Sequence, residues 1–540
     1  MPKQLMFDDH GRQKVLKGAR SLADLMKITL GPTGRNVLVG KSFGSPEIIK
    51  DGHAISKEVE LADPFENMGA KMITETASKT SDIIGDGTAM TAILTHAIYE
   101  SGLKYLTAGL NPLDIKKGID RATEAVVESM KKTATPVKTK ADYLNIATIA
   151  ANHNELIGKH IAAAMDKVGK EGIITVEESQ GREITLEFAE GLSFDKGYIS
   201  PYFINNTDNM TCVLEEPLIL LYDKKISNVQ ELVPLLEQVA QTGASLLIIA
   251  DEVENEALTV LVLNKLQGVL KVAAVKTPAF GDRKKSIMED IAIVTGGKFF
   301  SEEMGVKLEK IQLSELGRAK SAKIEKENTY IIQGAGEKSK IDARLNQIRN
   351  QIKATTSEYD REKMEERLAK LSGGVALIKV GAVTESEQKD KKNLVENAVH
   401  SAQAAREEGF LPGGGVAYLA ALPELDNLLK STDDPAEIAG IRIIKEALQI
   451  PLKQIVSNSG GDGSLVLDEV KEKLSSSKSM GYDASQGEMV DMVKAGIVDP
   501  AKLLRVALQN AASSGGLMLT ARTFLTDFKE KDKKIAESVV

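Results

Sequence analysis

The chain has no tryptophan and a single cysteine, Cys212, and aromatic residues make up only 4% of its 540 positions. One thiol can neither close a disulfide within the chain nor supply a cysteine-based metal site, and it points to a reducing compartment. With so few aromatic rings, the cores must be built from aliphatic side chains. No apolar stretch approaches the ~18 residues that a membrane-spanning helix needs. The opening residues, MPKQLMFDDHGRQ, carry neither an apolar signal core nor the Arg/Ser-rich character of a transit peptide. Cytoplasm is therefore the expected location, with no membrane partner. The net charge of −8 has the wrong sign for a nucleic-acid binder, whose phosphate contacts need a basic surface. The six histidines are scattered, and only His153 and His160 lie near each other. They read as surface or packed residues, not as metal ligands.

What is present suits a soluble globular protein: 42% hydrophobic and 27% charged residues, in a chain long enough for two to four domains. The first third reads as helical. Val15, Leu16, Ala19, Leu22, Leu25 and Met26 recur at helical spacing, and TLGPTGRN (29–36) ends that helix. NVLVG and PEIIKDG read as short strands, followed by helices over 66–84 and 88–108 with only GDG between them. The middle alternates apolar strand-like runs (EITLEF, PLILLYD, SLLIIAD, KVAAVKT) with helical stretches at 229–240 and 254–268, the signature of an α/β domain. Ile341, Leu345, Ile348 and Ile352, then Met364, Leu368 and Leu371 beyond the turn ATTSEYD, predict a helical hairpin with one buried seam. From about Asn393 to Leu525 the chain reads as helical again, interrupted by PGGG (412–415) and a short hairpin around Tyr482. The expected fold class is a multidomain α/β protein in which a helical domain made from both chain ends carries an α/β insert. Gly191 and the pair Gly373–Gly374 bracket the insert, where hinges or plain turns would sit.

The most informative stretch is Gly85-Asp86-Gly87-Thr88. Free N–H groups and the dipole at the start of the second helix favour an anion, and the glycines permit close approach to it. Asp86 would repel a bare phosphate, so it implies a bridging cation such as Mg²⁺. Thr88 suits a helix cap that also donates its hydroxyl. The bland alternative is a glycine-rich helix–helix turn. GRNVLVGKS (34–42) fails as a P-loop because five residues, not four, separate its glycines.

Taken in order, TLGPTGRN, KSFGSPEIIKDG, FENMGAKM, GDGT, LLIIADEVENEAL, AVKTPAFGDRKKSIMEDIAIVTGG, YDREKMEERLAKLSGGVALIKVGA, EEGFLPGGGVA and AGIVDPAK resemble the group I (60 kDa, GroEL-type) chaperonins over about 7–528. The resemblance implies an ATP-dependent molecular chaperone, a protein-folding ATPase of the isomerase class. It implies an equatorial domain from 1–132 and 409–540, an intermediate domain from 133–190 and 375–408 hinged near Pro136 and Gly409, and an apical polypeptide-binding domain at 191–374. It also implies seven-membered rings of this chain, two stacked, that enclose non-native polypeptides under a small lid co-chaperonin.

Carried over residue by residue, the resemblance implies a nucleotide site at Thr29, Leu30, Gly31, Pro32, Lys50, Asp86, Gly87, Thr88, Ala89 and Met90. Gly414, Tyr482, Asp483, Ala484 and Asp499 would lie on the nucleoside side. Asp86 would bind Mg²⁺, with K⁺ as an optional second ion, and Asp51 matches a carboxylate implicated in hydrolysis. Polypeptide binding maps to Tyr198, Tyr202, Phe203, Val233, Leu236, Leu258, Val262 and Leu263, with Asn264 at the edge. Residues 257–266 are apolar almost all the way round a helical wheel, which fits either full burial or an exposed apolar stripe.

The sequence departs from the family at four places. Asn397 stands where the family has an aspartate that activates the attacking water. Ala89 and Met90 replace two of three threonines after GDG, His53 follows Asp51-Gly52, and the chain ends in KEKDKKIAESVV. An amide accepts a hydrogen bond but takes no proton. The alternative function is therefore a specialised paralogue, a holdase that binds ATP and clients but hydrolyses ATP slowly or not at all. Neutral drift in a working ATPase stands beside it, since a neutral amide orients water in some GTPases.

Overall fold

Asp or Asn followed by Pro starts three of the long helices. Asp63 accepts from the Phe65 and Glu66 N–H groups, Asn111 from Leu113, and Asp434 from Ala436 and Glu437. In each case the next residue is a proline, pre-set in φ and with no N–H to satisfy. The structure, a computed structural model, describes residues 3–40, 46–169, 172–207, 209–301, 305–355, 357–372 and 374–527. Gly373 and the charged tail lie outside these residues. The chain divides into two compact units, Met1–Ala162 with Lys389–Val540, and Ala163–Gln388.

The first unit is built on helices. Asp8–Lys27, Pro64–Ile84, Thr88–Thr107, Pro112–Thr133, Pro435–Ala447 and Ala501–Thr520 enclose an aliphatic core that includes Leu94, Ile98, Ile119, Ile444 and Leu508. The Asp8–Lys27 and Pro64–Ile84 helices touch backbone to backbone: a Cβ on Gly18 would lie 1.6 Å from the Glu66 carbonyl oxygen. Val37–Val39 and Glu47–Ile49 form the expected strand pair. Five elements of this unit escaped the sequence reading. Gly52–Glu58 is a helix of two turns. Phe410–Pro412 pairs antiparallel with Val498–Pro500, and Lys3–Phe7 with Thr523–Asp527, so the later segments are extended where 393–525 was expected to be helical. Alternating Thr-Phe-Leu-Thr suits a strand, but its partner lies at the opposite end of the chain, beyond the reach of local periodicity. Thr135 and Phe410 exchange backbone hydrogen bonds at 2.9 Å, which brings Pro136 and Gly409 together. Gly409 is left-handed (φ +81°).

The second unit holds a ten-stranded mixed sheet. Leu218–Ile226, Leu246–Val253 and Val272–Lys276 are parallel and buried on both faces, so they read as near-continuous apolar runs. Helices Val233–Thr242, Asn255–Leu266 and Gly281–Thr295 follow them in turn. Gly191 lies inside the strand Thr185–Phe194, not in a turn. A Cβ there would fall 2.2 Å from Val375 Cγ2, so the strand needs a bare backbone at that point.

The helical hairpin is Lys338–Ala354 and Glu358–Ser372. Its turn is shorter than ATTSEYD, because Glu358, Tyr359 and Asp360 are already helical. Leu345, Ile348 and Leu371 are buried, but against the same core as the sheet and not only against each other. A buried carboxylate fixes this attachment. Asp290, with a side chain only 2% exposed, accepts from Arg344 Nε at 2.7 Å and from Arg367 Nη2 at 2.8 Å, so it ties both hairpin helices to Gly281–Thr295. Asp290→Ala leaves two guanidinium groups without their buried partner, a change that costs about 3–5 kcal/mol. Amide hydrogen exchange in both hairpin helices is expected to accelerate by roughly two orders of magnitude or more. Unchanged protection would show that the pairs contribute nothing to holding the hairpin.

Candidate functional site

Helix Pro64–Ile84 ends at Gly85 (φ +76°), whose N–H donates to the Ser81 carbonyl at 2.6 Å, and Gly87 (φ +82°) opens helix Thr88–Thr107. Gly87, not Thr88, occupies the cap position, and among the described residues no side-chain bond caps this N-terminus. The first-turn N–H groups and the positive end of the helix are thus available to an anion. Thr88 is the first helical residue and is buried. A Cβ on Gly52 would lie 2.7 Å from Thr88 Oγ1 and 3.5 Å from the Ala89 nitrogen, so the start of the Gly52–Glu58 helix abuts the start of the loop helix. Asp51 caps that short helix, one oxygen accepting from the Ala54 N–H at 2.7 Å.

Two more carboxylates close the site. Asp499 lies in the strand Val498–Pro500, opposite Leu411 and directly before helix Ala501–Thr520. Burial pushes the Asp86 carboxyl up to about 6; the Gly87 N–H bond at 2.5 Å opposes this and the charge of Asp51 adds to it. Burial pushes Asp499 up to about 7, and the nearby charge of Asp86 adds to that. Burial also holds the Lys50 ammonium below the usual lysine value. Two half-buried carboxylates that repel each other, an uncapped helix N-terminus and a half-buried lysine fit a magnesium–phosphate group. Among the described residues no group of three His, Cys, Asp or Glu side chains could hold a metal alone. The remaining oxygens would therefore come from phosphate and water.

The other nucleotide candidates arrive from separate elements. The Thr29 hydroxyl donates to the Met26 carbonyl at 2.8 Å, and Gly31 is left-handed (φ +85°). Asn458 braces this segment from helix Ile450–Asn458, donating to the Lys27 and Leu30 carbonyls at 2.9 and 2.8 Å. Sequence reasoning missed Asn458, since nothing in its neighbourhood marks it. Gly414 (φ +65°) packs beside Met492, and a Cβ there would be 3.9 Å from the Tyr482 carbonyl oxygen. Tyr482 and Asp483 belong to the hairpin Met480–Asp483 with Glu488–Asp491, and Ala484 follows in its turn. His153 is exposed at the surface; desolvation lowers its imidazole pKa, while Asp483 raises and Lys50 lowers it. It thus lies near both ends of the candidate site.

The Met90 side chain is buried in the helical core and Ala89 is half-buried against the neighbouring Ala19–Ala92 cluster, so each would offer a phosphate its backbone N–H alone. Helix Glu385–Glu408 meets the loop at His400, whose Nδ1 lies 2.2 Å from where a Cβ on Gly85 would sit. Asn397 is half-buried one turn earlier on the same side of that helix.

The candidate polypeptide surface is smaller than its sequence roster. Phe203 is fully buried and Leu236 is 7% exposed, so both are core residues. The 3₁₀ turn Pro201–Phe203 sends Phe203 inward and leaves Tyr202 64% exposed, while Leu235, Leu236 and Val239 form the inner face of helix Val233–Thr242. On helix Asn255–Leu266, Ala257 and Leu261 face the core, and Leu258, Val262 and Asn264 are half-buried. Leu263 (49% exposed) points outward, with Leu266 and Val269 also exposed beyond it. Lys265 Nζ donates to the Ile204 carbonyl at 2.6 Å and draws the Tyr202 segment against this helix. Tyr198 and Val233 are half-buried. Leu266 and Val269 were missed, although Leu266 closes the apolar stretch 257–266 that was its signal.

A family model, described as the TCP-1/cpn60 chaperonin family, matches residues 22–525. Among solved structures, the chaperonin gp146 from bacteriophage EL 2 (Pseudomonas aeruginosa), crystallised in the presence of ATP-BeFx, matches with a TM-score of 0.71. The match covers 97% of this chain and 99% of that one at 21% sequence identity, a likeness of fold. With a match spanning nearly the whole chain, over an α/β unit inserted into a helical one, the chain belongs to the TCP-1/cpn60 chaperonin family.

Proposed function

We propose that the chain is an ATP-dependent chaperone that binds nucleotide at the Gly85–Thr88 loop and non-native polypeptide along the Leu263 face. The observation that carries this is the uncapped N-terminus of helix Thr88–Thr107, set beside the half-buried, mutually repelling carboxylates Asp86 and Asp499. Magnesium bound there would neutralise phosphate charge. Asp86 would hold the cation, Lys50 would offset the outer phosphate, and Asp499 would accept from the ribose hydroxyls. The loop N–H groups would orient the phosphates. Non-directional apolar burial suits the exposed Leu263, Leu266, Val269 and Tyr202 to many unfolded chains.

Assembly is part of the proposal. The strand pair Lys3–Phe7 with Thr523–Asp527 exposes Leu5, Phe7 and Leu525, and the pair Val37–Val39 with Glu47–Ile49 exposes Leu38 and Ile48. Short two-stranded sheets with bare edges and exposed apolar residues favour pairing with another copy. Seven-membered rings, stacked in two and closed by a small lid co-chaperonin in the cytoplasm, are the form that the family resemblance supplies. Substituting Leu38 and Ile48 together with Lys is expected to convert the oligomer to smaller species in light scattering; an unchanged mass would place the contacts elsewhere.

Asn397 favours a second reading, slow hydrolysis. Its amide orients water but accepts no proton, and the loop lacks side-chain hydroxyls at Ala89 and Met90. Asn397→Asp is expected to raise phosphate release, within the ~10²–10⁴-fold range of general-base help, at nearly constant ATP affinity. No gain on that substitution would show that another group, with Asp51 the first candidate, does this work. For the client surface, Leu263→Ser and Tyr202→Ser should each weaken capture of a denatured protein while ATP affinity holds. An apolar side chain buried against a client is worth roughly 1.5–3 kcal/mol. Leu236→Ser should instead lower the melting temperature. Client capture that survives the double substitution would move the surface away from this face.

A further inference from the structure

Three polar side chains sit behind the phosphate loop, where packing alone would call for apolar ones. Thr80 and Thr91 are fully buried, and Asn510 is half-buried beside them. Thr91 lies in the first turn of helix Thr88–Thr107, and both its N–H and its Oγ1 reach the Gly87 carbonyl oxygen at 2.9 Å. The same hydroxyl is 3.0 Å from Thr80 Oγ1, which also accepts from Asn510 Nδ2 at 2.9 Å. Thr80 in turn donates to the Thr76 carbonyl at 3.3 Å. A hydroxyl has a single proton, so that of Thr91 is divided between the loop carbonyl and Thr80.

The placement of this chain of bonds gives it a role. Gly87 is the left-handed residue that turns the loop into the helix, and its N–H is already held by Asp86 at 2.5 Å. Thr91 takes the other end of the same residue, so both its N–H and its carbonyl are fixed. Asn510 belongs to helix Ala501–Thr520, which starts directly after Asp499. The three side chains thus connect the element that carries Asp86 to the element that carries Asp499. A threonine bonded back to the carbonyl four residues earlier adds little to a helix by itself. Buried polar groups that satisfy one another do fix a single arrangement of the backbone they hold.

We propose that Thr91, braced by Thr80 and Asn510, is a positioning residue that holds the Gly87 peptide in the orientation that accepts a nucleotide phosphate. This rests on the nucleotide reading of the loop above.

The test measures equilibrium ATP–Mg²⁺ affinity, steady-state KM and kcat, and the nucleotide-free melting temperature. The samples are the full chain, Thr91→Val, Thr91→Ser, Asn510→Leu and the double variant Thr80→Val with Thr91→Val. Thr91→Val keeps the shape and removes the hydroxyl, and is expected to weaken ATP binding about tenfold, the scale of one hydrogen bond. Thr91→Ser should restore affinity to within about twofold. Asn510→Leu, remote from the phosphate, should weaken it in the same direction by a smaller factor, and it keeps the test decisive if Thr91→Val fails to fold. The double variant should bind ATP no worse than Thr91→Val, because both act through one chain of bonds. Unchanged ATP affinity in Thr91→Val or Asn510→Leu, with only a lower melting temperature, would overturn the inference and leave the network a packing feature. Failure of the unmodified chain to bind ATP would overturn the nucleotide reading and the inference with it.

Discussion

Two left-handed glycines, Gly85 and Gly87, with only Asp86 between them, carry the chain from one long helix into the next. Such φ values are nearly closed to other residues, so the turn can be this short only with glycine at both places. Its shortness exposes a helix start with no capping side chain, and it sets Asp86 close enough to Asp499 for the two charges to repel. Everything else near the loop answers that constraint. Asp51 and Gly52 bring a second helix start alongside, Asn458 braces the segment after Lys27, and the His400 turn of a further helix packs against Gly85. A folded chain that concentrates unpaired N–H groups and two raised carboxylates in one place gives up stability there, the usual character of a site built for a ligand.

The same economy governs the apolar residues. With no tryptophan and few other rings, both units are filled with Leu, Ile, Val and Ala. On helix Asn255–Leu266 the inner face, Ala257 and Leu261 with Leu258 and Val262 at its edges, packs against the core of the sheet. The outer leucines add nothing to that attachment, and in water they are a cost unless something covers them. The Lys265–Ile204 hydrogen bond holds Tyr202 against this helix, so the exposed apolar surface includes a ring as well as aliphatic chains.

Much of this was legible in the sequence. Period and composition announced the long helices, the parallel strands and the helical hairpin, because each element is dictated by neighbours within a few residues. The GDG turn was legible for the same reason. The order of long motifs carried the family. The reading went astray where a residue's environment depends on distant chain. Phe203 and Leu236 look like their exposed neighbours in composition, and only the packing of the sheet and its helices makes them core.

What the sequence by itself determined is the set of local events: where helices start and stop, where glycine must be, and which runs are apolar enough to be buried. Tertiary structure alone decided which of those residues meet. It paired Lys3–Phe7 with Thr523–Asp527, set His153 near Lys50 and Asp483, and joined Thr80, Thr91 and Asn510 behind Gly87. It also raised the Asp86 and Asp499 carboxyls, since burial and the proximity of two charges are properties of a folded interior and not of either residue. Local backbone preferences act over a few residues and can be read along the chain. Desolvation and contact between distant segments exist only once the chain has folded.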